Sequence, residues 1–301
     1  MSFNSIPSFS MSRIEARDHA TIEELKLALM THGFFTITDH GISDDVLTSS
    51  YSVSKEFFDL PEDIKNSYAH PEKAGARGYT PYGKETALGE TTADLKEFWH
   101  HGPIVDELFD PRIEKNIEVK EIKNFNSQFD ILFSQLNKLG LKVLNSIALI
   151  LGKKDDFFND WVIKGNSLLR LIHYPPVSDP SNILRARAHG DINLVTLLVG
   201  AEKSGLEVKN PNGKWIPIAA KSKSIVCNIG DMMELVTRSK LKSTSHRVVD
   251  HNVNASTSRY SMPFFLHPSP DVMLRSIVDN SSESVSAHDF LEERLRAIKL
   301  Y

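Results

Sequence analysis

Between Val119 and Leu151 the apolar residues Ile122, Phe125, Phe129, Leu132, Phe133, Leu136, Leu139 and Val143 recur every three or four positions. That spacing places them on one broad face of a long helix, which Gly152 stops. After Ser167 the period changes. Leu168–Tyr174, Val195–Val199, Leu206–Lys209, Trp215–Ile218, Ile225–Ile229, Ser245–Val249 and Arg259–Leu266 are short apolar or β-branched runs bounded by turn residues, and each predicts a strand. Pro211-Asn212-Gly213 is a strong hairpin turn, and Gly230-Asp231 is a further turn signal. Nearer the start, Thr21–Met30 predicts an amphipathic helix with Thr21 as N-cap and Glu24 completing a capping box; His32-Gly33 ends it. Phe34–Thr38 predicts a strand, Asp44 or Asp45 caps a helix to about Phe58, and Pro61 opens a short one. Residues 68–103, rich in Gly, Pro, Tyr and Thr, predict a long ordered loop region of the kind that shapes a pocket. His288–Ile298 predicts a charged closing helix. A helical half followed by many short strands implies a β-sandwich or barrel with helices on its outside.

Composition narrows the function more than the fold. The 301 residues can form one large domain or two modest ones, and no repeat or low-complexity linker divides them. A net charge of -4 gives no reason to expect nucleic acid or an anionic membrane as partner. No apolar stretch approaches the roughly 18 residues that a membrane helix needs. The polar segment Met1 to Arg17, broken by Pro7, has no apolar signal region, so a cytoplasmic location is expected. Cys227 is the only cysteine, which excludes an internal disulfide and any cysteine-based zinc or iron–sulfur site. In the run Ser224-Ile225-Val226-Cys227 it is expected to be a buried structural thiol rather than a nucleophile.

The candidate chemistry lies between Arg187 and Ser261. A strand sends residues i and i+2 to one face, so His189 and Asp191 in His189-Gly190-Asp191 can point at a single ion. Read alone, the triplet equally suits a solvated turn; His70-Pro71-Glu72 is its nearest rival, in a polar loop. A second imidazole must come from a distant strand. His246 in Ser245-His246-Arg247-Val248-Val249 is the first candidate, and His251, between Asp250 and Asn252, is the second. Two imidazoles and one carboxylate suit a divalent first-row metal and leave three adjacent positions open, as non-haem iron(II) oxygenases require. Arg259 and Ser261, two apart on a strand, can grip a carboxylate through charge-assisted bonds, although a surface ion pair would use the same residues.

His189-Gly190-Asp191, Gly230-Asp231-Met232-Met233-Glu234, His246-Arg247-Val248-Val249 and Arg259-Tyr260-Ser261 resemble the isopenicillin-N-synthase-like branch of the iron(II)/2-oxoglutarate dioxygenases. So do His32-Gly33-Phe34-Phe35, Asp39-His40-Gly41, Asp94-Leu95-Lys96-Glu97-Phe98 and Arg170-Leu171-Ile172-His173-Tyr174-Pro175-Pro176, and the likeness runs from about Gly33 to Leu266. The resemblance implies a mainly β fold with α elements: a double-stranded β-helix (jelly roll) over about 166–270, a helical N-terminal portion over about 1–165 and a C-terminal helix over about 285–299, together one dioxygenase domain. It implies Fe(II), 2-oxoglutarate and O2, with His189, Asp191 and His246 as iron ligands. Arg259 and Ser261 would hold the distal carboxylate of 2-oxoglutarate, and Tyr174 would reach it through its hydroxyl. Plant members often carry Asn where this chain has Ile172, and a Thr is often seen between His and Asp where this chain has Gly190. The implied activity is oxidation of a C–H bond of a small metabolite by hydroxylation, desaturation or cyclisation, with release of succinate and CO2. Tyr79, Tyr82, Phe98 and the C-terminal helix are candidate walls of the substrate site, plain packing being the simpler role for the aromatics.

Three other readings use the same residues. An oxidase like isopenicillin N synthase would need iron and O2 but no 2-oxoglutarate, its Arg-x-Ser pair binding a substrate carboxylate. A zinc hydrolase could employ the same ligands with an open site. A non-catalytic small-molecule receptor could occupy the same scaffold.

Overall fold

The computed structural model describes residues 5–73, 75–86, 93–176, 184–200, 205–218, 223–249 and 257–297. The chain starts with β1 (Ser8–Ser10) and α1 (Met11–Glu15), which lie in a stretch that carried no periodic signal. Helix α2 (His19–Thr31) begins ahead of the expected Thr21, because Asp18 is the N-cap and accepts from both the backbone N and the hydroxyl of Thr21. Gly33 (φ 66°) then turns the chain into β2 (Phe34–Thr38). Helix α3 (Asp44–Phe58) is capped by Ser43, with Asp44 and Asp45 in its first turn, where carboxylates favour the helix dipole. A short α4 (Glu62–Ser67) follows Pro61.

Two strands, β3 (Gly78–Thr80) and β4 (Glu97–His101), run through the region expected to be a loop. All five residues of β4 are buried, polar ones included, so it shows no alternation from which a strand could be read. The long helix α5 (Phe125–Ile150) starts later than its apolar period suggests: Val119 and Ile122 are buried, but in the segment before it. Gly152 (φ 69°) does follow its end. After α6 (Asn159–Val162) come β5 (Leu168–Tyr174), β6 (Leu184–His189), β7 (Val195–Val199), β8 (Leu206–Lys209), β9 (Trp215–Pro217) and β10 (Ile225–Ile229). Then follow α7 (Asp231–Val236), β11 (His246–Val249), β12 (Arg259–Leu266), β13 (Met273–Arg275), β14 (Ser284–Ser286) and α8 (Ala287–Ala297). Gly230-Asp231, read as a turn, is the start of α7.

Strands β5 to β12 divide between two sheets as a jelly roll does. The larger has the order β1-β2-β10-β7-β12-β5-β4-β3 and the smaller β6-β11-β8-β9. The N-terminal portion is therefore not only helical: four of its strands extend the larger sheet at both edges. Between the sheets lies an apolar layer including Phe34, Phe98, Ile172, Tyr174, Val208 and Val248. The outer face of the larger sheet packs on α5 through Leu132, Leu136, Leu197, Phe264 and Leu266. This second layer buries the helical face and fixes the larger sheet as a platform.

A Cβ on Gly33 would lie 1.8 Å from the Lys242 carbonyl oxygen, whereas one on Gly83, also at positive φ, would meet nothing within 4 Å. Gly33→Ala should therefore cost about 3 kcal/mol or more from strain plus overpacking. Gly83→Ala should cost about 1–2 kcal/mol from strain alone. Urea denaturation of both variants reads the difference, and equal losses would contradict the packing at Gly33.

Candidate functional site

Strand β6 ends at His189 and β11 begins at His246, and the antiparallel register sets these two residues opposite each other. Asp191 lies just beyond the end of β6, so the expected same-face placement within a strand holds only for its first member. The turn brings Asp191 back into the barrel, its carbonyl accepting from the Asp231 backbone N at 2.7 Å. One ligand atom from each of His189, Asp191 and His246 lies within 4.8 Å of the others. His246 Nε2 is 3.7 Å from Asp191 Oδ1, and the two imidazole centroids are 4.4 Å apart.

The surroundings aim these atoms. His189 Nδ1 donates to the Arg187 carbonyl at 2.6 Å, and His246 Nδ1 faces the Thr244 carbonyl at 3.3 Å. With the proton on Nδ1, each Nε2 lone pair is left for a metal. Asp191 Oδ2 accepts from the Thr196 hydroxyl at 2.6 Å and from Asn228 Nδ2 at 2.7 Å, which directs Oδ1 toward His246. Phe34 packs edge-on against His246 at 5.4 Å. Burial, reinforced by the neighbouring His246, pulls the pKa of His189 down to about 4. Burial pushes Asp191 up, but the two imidazoles and the Asn228 and Thr196 hydrogen bonds outweigh it and hold the carboxyl below its usual range. A neutral imidazole beside a carboxylate is the protonation state in which a divalent metal is ligated. The N, N, O donor set, with its remaining atoms already engaged, fits Fe(II).

Arg259 and Ser261 enter on β12, opposite Tyr174 and Ile172 of β5. The Arg259 guanidinium is 5.9 Å from the Tyr174 ring centroid; Tyr174 and Ser261 are buried and Arg259 is half-buried. The three thus share one end of one strand pair. Ile172 faces the inter-sheet layer, where it packs as an apolar residue. Lys96 stands near both groups: its charge helps to lower the pKa of His189, and Tyr174 is among the groups that help to raise its own. His70 is half-buried, hydrogen-bonded to the exposed Glu72 and outside the cluster, Cys227 is buried, and His251 falls outside the described residues.

Beside His189 and Asp191 opens a cavity of about 340 Å³. Arg77, Glu85, Asp94, Lys96, His100 and Arg170 form much of its wall; the first five lie in the stretch 68–103 expected to shape a pocket, though none was singled out as a lining residue. Lys96 Nζ lies 2.5 Å from Glu85 Oε2 and 3.0 Å from Asp94 Oδ2. Arg170 Nη1 lies 3.0 Å from Glu85 Oε1, its Nε donates to His100 Nε2 at 2.6 Å, and its guanidinium covers the Phe98 ring at 4.2 Å. Such buried pairs are invisible in a linear reading, although the polar residues flanking Leu95 in Asp94-Leu95-Lys96-Glu97 were a usable signal. Tyr79, Tyr82 and Phe98 do not line the cavity: Tyr79 donates to Glu97, Phe98 lies in the inter-sheet layer and Tyr82 is exposed. Helix α8 does line it, through Leu291, Arg294 and Leu295.

Comparison with known proteins places this geometry. Residues 165–268 match the family model of the 2OG-Fe(II) oxygenase superfamily, and residues 6–122 match that of the non-haem dioxygenase in morphine synthesis N-terminal region. A 2-oxoglutarate-dependent dioxygenase of Didymella fabae is 32% identical over 274 residues, covering 85% of this chain and 82% of that protein. The chain belongs to the 2OG-Fe(II) oxygenase superfamily. Proline hydroxylase buaE of Petromyces alliaceus is 31% identical over 283 residues, covering 89% and 87% of the two chains. A crystal structure of a 2OG-Fe(II) oxygenase family protein from Caulobacter crescentus superposes with TM-score 0.87 at 39% identity, covering 98% of this chain and 99% of that one. A full-length Neurospora crassa protein crystallised in complex with alpha-KG gives TM-score 0.85 at 26% identity, covering 97% and 96%. This oxygenase is an Fe(II)/2-oxoglutarate-dependent dioxygenase, with O2 as the other co-substrate and a jelly-roll core. The 2-oxoglutarate reading thus holds over the oxidase that dispenses with it. Among the described residues no helix is long and apolar enough to cross a membrane.

Burial holds His100, His101, His189 and His267 below the ordinary 6.5, His189 and His267 at about 4. The unfolded chain takes up these protons near pH 6.5 and the folded chain only lower, so stability is whole above that value and is lost as pH falls toward about 4. Urea midpoints of the metal-free oxygenase should drop across this window, less steeply in His267→Phe. A flat profile from about pH 7 to about pH 4.5 would contradict neutral buried imidazoles.

Proposed function

We propose that His189, Asp191 and His246 hold the iron, that Arg259, Ser261 and Tyr174 receive 2-oxoglutarate, and that a small metabolite in the adjoining cavity is oxidised. The observation that carries this reading is the convergence of three ligand atoms within 4.8 Å while the second Asp191 oxygen is engaged elsewhere. When bound, iron and 2-oxoglutarate supply an oxidant for a C–H bond, as 2-oxoglutarate becomes succinate and CO2. The chain's own residues do the positioning. Arg259 offers two parallel N–H donors to a carboxylate and Ser261 a hydroxyl, while Tyr174, opposite Arg259, offers a second hydroxyl. Thr196 and Asn228 keep Asp191 from rotating, which fixes the direction of its free oxygen. Leu168, Ile192, Phe265 and Leu291 supply the apolar part of the cavity wall, which keeps water from the reacting carbon.

Residues 1–301 acting as one dioxygenase domain belong to this reading, supported by the larger sheet, which strands of both portions share. So does a cytoplasmic location, with a small molecule and neither nucleic acid nor membrane as partner.

Adding Fe(II) and 2-oxoglutarate anaerobically should produce a visible charge-transfer band, and succinate should form one-to-one with oxidised product. His189→Ala should abolish band and turnover. Asn228→Leu should weaken metal binding about ten- to a hundredfold. Arg259→Ala should raise the KM for 2-oxoglutarate about ten- to a hundredfold, with a smaller change in kcat. A wild-type protein without the band, or an Arg259→Ala variant with unchanged KM, would refute the corresponding assignment.

A further inference from the structure

We propose that the substrate carries a carboxylate and that Arg77 anchors it, the carbon to be oxidised turning toward His189 and Asp191. The proposal rests on the metal-centre reading above and adds the chemical class of the substrate. Arg77 lines the cavity and is only 2% exposed. A Cβ on Gly102 would sit 2.2 Å from its guanidinium, so the absence of a side chain at that position makes the room in which the charged group lies.

The guanidinium is buried with incomplete satisfaction. Its Nη1 donates to the Ala76 carbonyl at 2.6 Å and its Nη2 to Asn166 Oδ1 at 3.2 Å, both neutral acceptors. Nε is buried with no hydrogen-bond partner. Among the described residues no carboxylate lies within 4.0 Å of it; the charge of Glu114 reaches it from farther away. Burial draws the pKa of Arg77 down to about 10, which leaves it cationic at neutral pH.

The other cations of the cavity are matched. Lys96 has Glu85 and Asp94, Arg170 has Glu85, and Arg294 lies 3.9 Å from Asp231. Among the described residues Arg77 is therefore the cavity cation that has no carboxylate beside it, Asp191 being turned to the two histidines. An uncompensated buried ion costs several kcal/mol, and a ligand carboxylate placed on the guanidinium relieves that cost through charge-assisted bonds. A neutral amide can accept the same hydrogen bonds but brings no charge. His267, also in the wall, has a buried Nδ1 without a partner and feels the charges of both Arg77 and Asp191. It marks the path along which the substrate spans from its anchor to the metal centre.

The test compares matched acids and primary amides: phenylacetate with phenylacetamide, benzoate with benzamide, and cyclohexanecarboxylate with its amide. Each is titrated into the protein with saturating 2-oxoglutarate and Fe(II) without oxygen, following the charge-transfer band and the thermal midpoint. At least one acid should bind tenfold or more tightly than its amide. Arg77→Gln should remove that preference, and Arg77→Lys should keep part of it. The proposal is overturned if no acid is preferred over its amide, or if Arg77→Gln keeps the preference. Should Arg77→Gln fail to fold, the wild-type preference and its reduction in Arg77→Lys decide. The thermal midpoint of the metal-free protein reports the same preference without the band, so a missing band condemns the metal assignment and leaves the anchor separately judged.

Discussion

Antiparallel pairing of β6 with β11 sets His246 opposite His189, and the rest of the centre is arranged around that register. A slip of one residue would turn either imidazole to the other face of the smaller sheet. The pairing is irregular on both sides of Val248, so the strands do not follow a flat ladder away from the histidines. Asp191 comes from beyond the strand end, and what secures it belongs to the opposite sheet: Thr196 on β7 and Asn228 on β10. The donors therefore hang from one sheet while one of them is tied to the other. The apolar layer of Phe34, Val208, Val226 and Val248 holds the sheets at the separation this tie requires. Packing and hydrogen bonding act on the same distance, which is what makes a site rigid enough to bind an ion in one geometry.

Much of this was legible where side-chain type and period agree. Strands β2, β5, β7, β8, β10 and β12 lie where their apolar and β-branched runs end. The segments that escaped notice are those whose burial depends on partners elsewhere. Strand β6 reads Leu-Arg-Ala-Arg-Ala-His, yet Arg185 and Ala186 are buried; strand β4 buries Glu97, His100 and His101. Glu97 is acceptable in the interior only because Lys65, Tyr79 and His173 surround it. Helix starts shifted for a local reason: Asp18 and Ser43 compete with later polar residues for the capping role, and geometry rather than composition selects between them.

The candidate site divides the same way. The residues proposed for metal and co-substrate sit in short motifs, two of them spaced i, i+2, so the proposal for them can already be made from sequence. The cavity wall is assembled from stretches of residues 75–86, 94–100, 166–170 and 188–192, from Asp231, Phe265 and His267, and from α8, and only folding brings Arg77 beside Asn166 or Lys96 beside Glu85. That division follows from the scaffold. Strand ends carry the proposed metal centre, while longer connections and the closing helix give the adjoining cavity much of its shape and charge.

The centre itself is tested most directly by diffraction from crystals grown without oxygen in Fe(II), with data collected on both sides of the iron absorption edge. A single anomalous peak is expected within bonding distance of His189 Nε2, His246 Nε2 and Asp191 Oδ1, with the remaining coordination positions open to the cavity. A peak elsewhere, or one closed off by a fourth protein side chain, would contradict it.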